Sequence, residues 1–151
     1  MRRKEKEIRE TAAIEDVIRR AQVCRLAMCR DGQPYVVPLN FGYAERTVYI
    51  HCAKEGRKLE MIEANPEVCF EVDLDHTLES AAKACKFGFK YKSVIGFGQA
   101  SLVKDRTEKE AALKIIMAHY SDEEFSFTSK ETDMVAVIKV ELTEITGKQA
   151  L

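Results

Sequence analysis

The sequence predicts a mainly β, α+β fold in which six antiparallel strands form a small barrel with peripheral helices. Three observations predict it. Six segments carry the β-branched and aromatic residues of strands, several with two-residue alternation. The first two are joined by the hairpin signal Asp31-Gly32, and the strands do not alternate with helices as a doubly wound parallel sheet requires. The long segment Tyr91 to Val103 is interrupted by Gly96 and Gly98, which mark a bend or a close backbone approach in a barrel.

The elements follow in order. Thr11 to Ala21 sets Ile14, Val17, Ile18 and Ala21 at helical spacing, with Thr11 as N-cap. Val23 to Cys29 and Tyr35 to Phe41 are strands, and Thr47 to Cys52 follows the short turn Ala44-Glu45-Arg46, so the first three strands are expected as a meander. Pro34 and Pro38 in the second strand lack a ladder N–H and mark an edge or a bulge. A short helix runs from Gly56 to the Asn65-Pro66 stop, and Val68 to Val72 is the fourth strand. Leu74 to Lys86 has no clear period. After Tyr91 to Val103, Thr107-x-x-Glu110 reads as a capping box opening a helix on Leu113, Ile116, Met117 and Tyr120. Met134 to Thr143 closes the set, with Met134, Ala136, Ile138, Val140 and Leu142 on one face.

The 151 residues fit a single domain, 1–151, long enough to bury roughly two-thirds of the unfolded surface. Basic and acidic side chains number 24 and 25, so the whole-chain field favours neither nucleic acid nor another polyelectrolyte. The basic start, Arg2, Arg3, Lys4, Lys6 and Arg9, is interleaved with glutamates and reads as a solvated leader rather than a nucleic-acid arm. No apolar run approaches a membrane span and the start lacks a secretory h-region, so no membrane partner and a cytoplasmic location are expected. Five cysteines without C-x-x-C spacing point to reduced, mostly buried thiols, not to disulfides or zinc.

The segment His51-Cys52-Ala53-Lys54-Glu55-Gly56-Arg57-Lys58 joins a strand to a helix. Arg57 and Lys58 fall on the first helical turn, where the macrodipole favours anions, so two adjacent cations call for a further reason. A bound phosphate supplies one, met by free backbone N–H groups, the dipole and a guanidinium. A solvated helix start, its charges from Lys54 to Glu60 paired internally, is the alternative, and the octad alone leaves both open. His51 and Cys52 point to opposite faces and cannot form a nucleophile pair; His51 shares a face with Thr47 and Tyr49, whereas Cys52 continues the core face of Val48 and Ile50. His51 is either a structural histidine or a proton carrier. Asp73-Leu74-Asp75-His76 lacks a second cluster that would make it a metal site, and His119 near a helix end reads as structural. No nucleophile-elbow, zincin, Walker or Rossmann motif is present.

Three motifs, Pro34-Tyr-Val-Val-Pro-Leu-Asn-Phe-Gly-Tyr43, His51 to Lys58, and Tyr91-Lys-Ser-Val-Ile-Gly-Phe-Gly98, together resemble the nitroimidazole-resistance (Nim) branch of the pyridoxamine-phosphate-oxidase-like family. The opening Met-Arg-Arg-Lys and Cys24-Arg-Leu-Ala are also similar to that branch. The resemblance implies a six-stranded split β-barrel that forms a homodimer, with a flavin mononucleotide (FMN) in each of two interface clefts. It implies that Gly56, Arg57 and Lys58 seat the phosphate, and that Pro38, Leu39 and Asn40 form a bulged strand along the isoalloxazine ring. His51 and Cys52 would lie beside the ribityl chain, and Lys92 and Ser93 would approach from the other side. The implied activity is hydride transfer from flavin N5 to a small-molecule substrate, a nitro-aromatic or similar acceptor, with His51 as the candidate catalytic proton donor. A non-enzymatic flavin or haem store with His51 as axial ligand is the alternative on the same fold. The final residues, Glu144 to Leu151, lack the Arg- and His-containing segment of true pyridoxamine-phosphate oxidases, which argues against vitamin B6 oxidation.

Overall fold

All strands of the protein belong to one antiparallel sheet, ordered β3-β2-β6-β7-β8-β5-β4, with β1 against β8. The structure is a computed structural model describing residues 3–151, so Arg2 of the basic leader and the first two residues of the opening motif lie outside the described residues. The strands are β1 (Glu7–Ile8), β2 (Cys24–Arg30), β3 (Gln33–Leu39), β4 (Gly42–Ala44), β5 (Thr47–Cys52), β6 (Glu67–Glu79), β7 (Gly88–Leu102) and β8 (Ala136–Ala150). The helices are α1 (Thr11–Arg20), α2 (Arg57–Ala64), α3 (Arg106–Ala118) and α4 (Ser129–Met134). No helix among the described residues is long and apolar enough to cross a membrane.

The six expected strands are β2, β3, β5, β6, β7 and β8, and the short β1 and β4 are additions to that count. The β2–β3 hairpin forms at Asp31 and Gly32, both left-handed as a type I′ turn requires. The expected meander stops there. Glu45 and Arg46, also both left-handed, fold β5 back onto β4, and the other side of β5 pairs with β8, which leaves β3 as a free edge. That edge accommodates Pro34 and Pro38, whose missing N–H groups need no partner there. The β2–β3 register is unbroken, so the bulge expected in this strand is absent.

The sheet irregularities lie elsewhere. Register shifts occur between Leu74 and Thr77 of β6 and between Phe97 and Gly98 of β7. At Gly98 an added Cβ would stand 2.1 Å from the Glu141 carbonyl oxygen, so the backbones of β7 and β8 touch where the barrel bends. The segment read as an aperiodic crossing continues β6 to Glu79 and, with β7, forms an exposed hairpin arm; with no core beneath it, it carries no apolar period. Likewise β8 extends to Ala150 because β7 and β1 flank its polar second half. Met134 ends α4 and is 68% exposed rather than part of the strand face.

Two caps differ from expectation. Glu10, not Thr11, precedes α1 and makes no side-chain cap. Asp105 caps α3 by accepting from the Glu108 N–H at 2.8 Å, which places Thr107 inside the first turn. The reciprocal capping box is instead Thr128 with Glu131 at the start of α4.

The main core fills the barrel with residues such as Leu26, Ile50, Phe70, Val72, Val94 and Ile138, closed on one side by Val17 and Ile18 of α1. A second cluster, Val103, Ala112, Leu113, Ile116 and Val137, lies between α3 and the opposite face of β5 and β8. Val137 and Ile138 are both fully buried, on opposite sides of the same strand.

Gly98→Ala is expected to lower stability by about 1–3 kcal/mol, because its obstacle is backbone. Gly96→Ala should cost less, since its nearest neighbour is the movable Leu142 side chain at 3.1 Å. Urea midpoints of the two variants measure the difference. Burial pushes the Cys24 thiol from 9.0 up to about 12. A group raised in this way stabilises the fold below pH 9.0 and loses that contribution as pH rises toward about 12. In the native protein at pH 8, thiol titration should therefore label the exposed Cys29 and Cys85 quickly and Cys24 only on unfolding.

Candidate functional site

Alternation along β5 divides the site. Val48 and Ile50 are fully buried in the barrel and Cys52 packs against the same core, as the sequence face predicts. Tyr49 and His51 point the other way, with Tyr49 against the second cluster under α3. His51 Nδ1 is buried there without a hydrogen-bond partner, a state that costs about 1–3 kcal/mol unless something binds it.

The chain then turns through Ala53 to Gly56 into α2. Gly56 has φ +129° and ψ 169°, a conformation essentially confined to glycine, and its carbonyl accepts from the Leu59 and Glu60 N–H groups at 3.0 and 3.3 Å. The Arg57 and Lys58 N–H groups thus open the helix without intrahelical acceptors. Among the described residues, no ion pair involves Lys54, Glu55, Arg57, Lys58 or Glu60, so the internal pairing of the alternative reading does not form. The Arg57 guanidinium lies 4.5 Å from the centroid of the Tyr35 ring on β3, a cation–π contact that aims it without using its N–H donors. Lys58 is half-buried, and its charge opposes the upward push of burial on both the Cys24 and Cys52 thiols. The residues present fit a phosphate: two cations without carboxylate partners and free backbone donors share one helix start.

The Pro38-Leu39-Asn40 segment ends β3, with Leu39 half-buried and Pro38 and Asn40 exposed. Asn40 and His51, far apart in sequence, line one cavity of about 290 Å³. Its remaining wall is mostly apolar, with Leu113, Ile116, Met117, Phe127 and Val135 from α3, α4 and their flanks beside Tyr120 and Glu131. The sequence assigns the α3 stripe no part in a site; the overlooked signal is the Thr128-x-x-Glu131 box, which places Glu131 at the same cavity.

The end of α3 holds Asn40's neighbour in place. The Tyr120 hydroxyl accepts from the Phe41 N–H at 2.9 Å and donates to the Gln22 carbonyl at 2.8 Å. His119 Nε2 lies 2.7 Å from the Ala21 carbonyl, and its ring packs on Phe41 at 4.4 Å, so this histidine is structural. Burial raises the Tyr120 phenol above its usual range, and the Thr128 N–H and hydroxyl hold the Glu131 carboxylate below its own.

Lys92 and Ser93 stand apart from these residues. They lie on β7 between β6 and β8, with Lys92 3.6 Å from Asp75, and line neither the Asn40–His51 cavity nor the hollow beside Arg57. The Asp73 to His76 stretch is occupied by polar contacts: His76 Nε2 lies 2.8 Å from Asp73, which also pairs with Arg25, and Asp75 pairs with Arg20 at 2.7 Å. Arg25 also binds Glu71, whose carboxyl burial nevertheless raises. Among the described residues, no three His, Cys, Asp or Glu side chains gather as metal ligands.

Known proteins share this architecture. A candidate 5-nitroimidazole antibiotic resistance protein from Bacteroides thetaiotaomicron is 36% identical, with 95% of this chain and 86% of that one covered and a TM-score of 0.85. An FAD-binding protein from Mesorhizobium loti is 26% identical over 95% of this chain and 96% of its own, with a TM-score of 0.68. The uncharacterized protein RA0666 of Rhizobium meliloti (strain 1021) is 31% identical over 58 residues, which span 38% of this chain and 38% of that relative's length. The sequence pattern of the pyridoxamine 5'-phosphate oxidase family matches residues 10–149, from the start of α1 through nearly all of β8, and the chain belongs to that family.

Proposed function

We propose that the protein is a homodimeric, FMN-dependent oxidoreductase that reduces a small nitro-aromatic or similar acceptor. One observation carries the reading. Cations without carboxylate partners meet at a helix start that requires glycine, a single loop away from a histidine with a free buried nitrogen. The names of the Bacteroides and Mesorhizobium relatives support a nitro-aromatic acceptor and a flavin respectively. A cytoplasmic setting suits the five free cysteines.

In this reading Arg57, Lys58 and the backbone after Gly56 hold the single phosphate of FMN, while the end of β3 at Pro38 to Asn40 supports the ring. Bound there, the flavin would supply hydride chemistry at N5, with a reduced nicotinamide as electron source. His51 orients the acceptor and delivers the proton that accompanies the hydride from its ring N–H. Cys52 lines the strand end and takes no chemical role, because burial keeps its thiol protonated. A second copy covers the outer face of β7, where Ile95 and Phe97 are 40% and 49% exposed beside Ser93. Ser93, on that same face, then reaches the partner's cofactor, whereas Lys92 points to the opposite face beside Asp75.

The absorption spectrum of the purified protein tests the cofactor. FMN should bind, and Arg57→Ala should weaken it by roughly 10- to 100-fold, the value of a charge-assisted hydrogen bond, while riboflavin affinity stays unchanged. A colourless protein without flavin affinity defeats the proposal, and a Soret band lost in His51→Ala replaces it with haem binding. His51→Gln should bind FMN but lower kcat for acceptor reduction by roughly 100-fold, the value of a positioned proton donor. Phe97→Glu should shift the protein from dimer to monomer in light scattering.

A further inference from the structure

We propose that the hairpin arm made by the end of β6 and the start of β7 docks on a second copy of this chain, with its tip seated against the connection between α3 and α4. The inference deepens the homodimer reading above and rests on it for the second copy. The arm runs past the barrel with no core beneath it, and a two-stranded ribbon of that kind is marginal by itself. Its apolar side chains are nonetheless bare. Leu78 and Phe89 stand directly opposite each other across the ribbon at 62% and 51% exposed, and Phe87 at the tip is 51% exposed. Three such side chains on one arm mark a contact surface. The root of the arm is held in a fixed direction: Asp75, left-handed at φ +58° where the β6 register shifts, pairs with Arg20 of α1 at 2.7 Å and Lys92 of β7 at 3.6 Å, and the His76 ring lies 5.8 Å from the Phe89 ring. The arm therefore projects from its own barrel.

Surface chemistry selects a second copy as the occupant. Alternation places Phe89, Tyr91, Ile95 and Phe97 on one side of β7, so the arm continues the face given to the second copy above. A two-fold pair projects two equivalent arms, each toward the other barrel. Charge marks the landing place. Among the described residues, Lys83 and Lys86 at the tip have no carboxylate partner, and Asp122, Glu123 and Glu124 on the α3–α4 connection have no cation. Lys114, which shares a hollow with that acidic run, is engaged with Glu110 at 3.0 Å. Phe125, exposed at the same hollow, offers Phe87 an apolar contact. The connection also carries Phe127, which walls the Asn40–His51 cavity, so the arm of each copy borders the site of the other.

Sedimentation equilibrium and thiol crosslinking of the full chain test the inference, with each variant checked for folding by circular dichroism. Lys83→Glu with Lys86→Glu should weaken dimerisation by about tenfold or more at low salt, because like charges then meet, and adding Asp122→Lys with Glu123→Lys to the same chain should restore it. In a Cys29→Ser background, a short bismaleimide should join the exposed Cys85 of one protomer to the thiol introduced in its partner by Ser126→Cys, giving a dimer band on a denaturing gel. A thiol introduced by Ala12→Cys on α1 should give far less. A monomeric chain, dimerisation indifferent to the lysine changes, no recovery in the charge-swapped chain, or equal crosslinking from both positions would each overturn the proposal. A dimer that Phe97→Glu disrupts but the arm variants leave intact defeats the arm and spares the dimer reading. A crosslinked dimer that binds no flavin upholds the arm and defeats the flavin reading instead.

Discussion

The burial of β5 and β8 on both faces is the constraint on which the rest of the structure depends. Most strands of the sheet turn one face to the barrel core and the other toward solvent, but this pair separates two apolar clusters. Val48, Ile50, Ile138 and Val140 complete the barrel, while Val137 and Tyr49 meet α3 on the far side. Because side chains alternate along a strand, the same geometry that puts Ile50 in the core sends His51 beneath α3, where its Nδ1 is buried. The unpaired imidazole nitrogen is a consequence of that layering.

The helical layer is fixed as firmly as the strands. Gly42 allows β4 to approach α3 so closely that an added Cβ would stand 2.7 Å from the Ile115 carbonyl. At the end of the helix, His119 and Tyr120 hold the backbone at Ala21, Gln22 and Phe41. These contacts set the spacing between helix and sheet, and a chamber is left where the side chains of α3 and α4 do not reach β5. Anchoring polar groups surround an apolar interior, an arrangement common to small-molecule sites.

The helix start at Gly56 obeys a different logic, one of local backbone chemistry. Gly56 reaches a conformation denied to other residues, the helix begins at once, and two cations follow. Every part lies within a few consecutive residues, so the helix start and its two cations were legible in the sequence. Tyr35, which aims Arg57 from the edge strand, was not, because the contact joins residues 35 and 57 across a fold that no short-range pattern describes. The β2–β3 hairpin and the close approach at Gly98 were legible for the same local reason. The position of β5 was not: the turn into it looked like the third arm of a meander, and only its long-range pairing with β8 excluded β3 as a neighbour.

By itself the sequence determined the strand-rich class, most of the six long strands, the two faces of β5 and the helix start at Gly56, since each depends on residue type and short spacing. Tertiary structure alone decided that Asn40 and His51 share a cavity, that α3 and α4 wall it, and that Lys92 and Ser93 stand apart from it within one chain. The polar hairpin arm and the second half of β8 also became strands only through their neighbours, because backbone pairing needs a partner rather than an apolar period. Local chemistry fixed the glycine-led helix start and its two cations; the packing of distant elements fixed the space beside them.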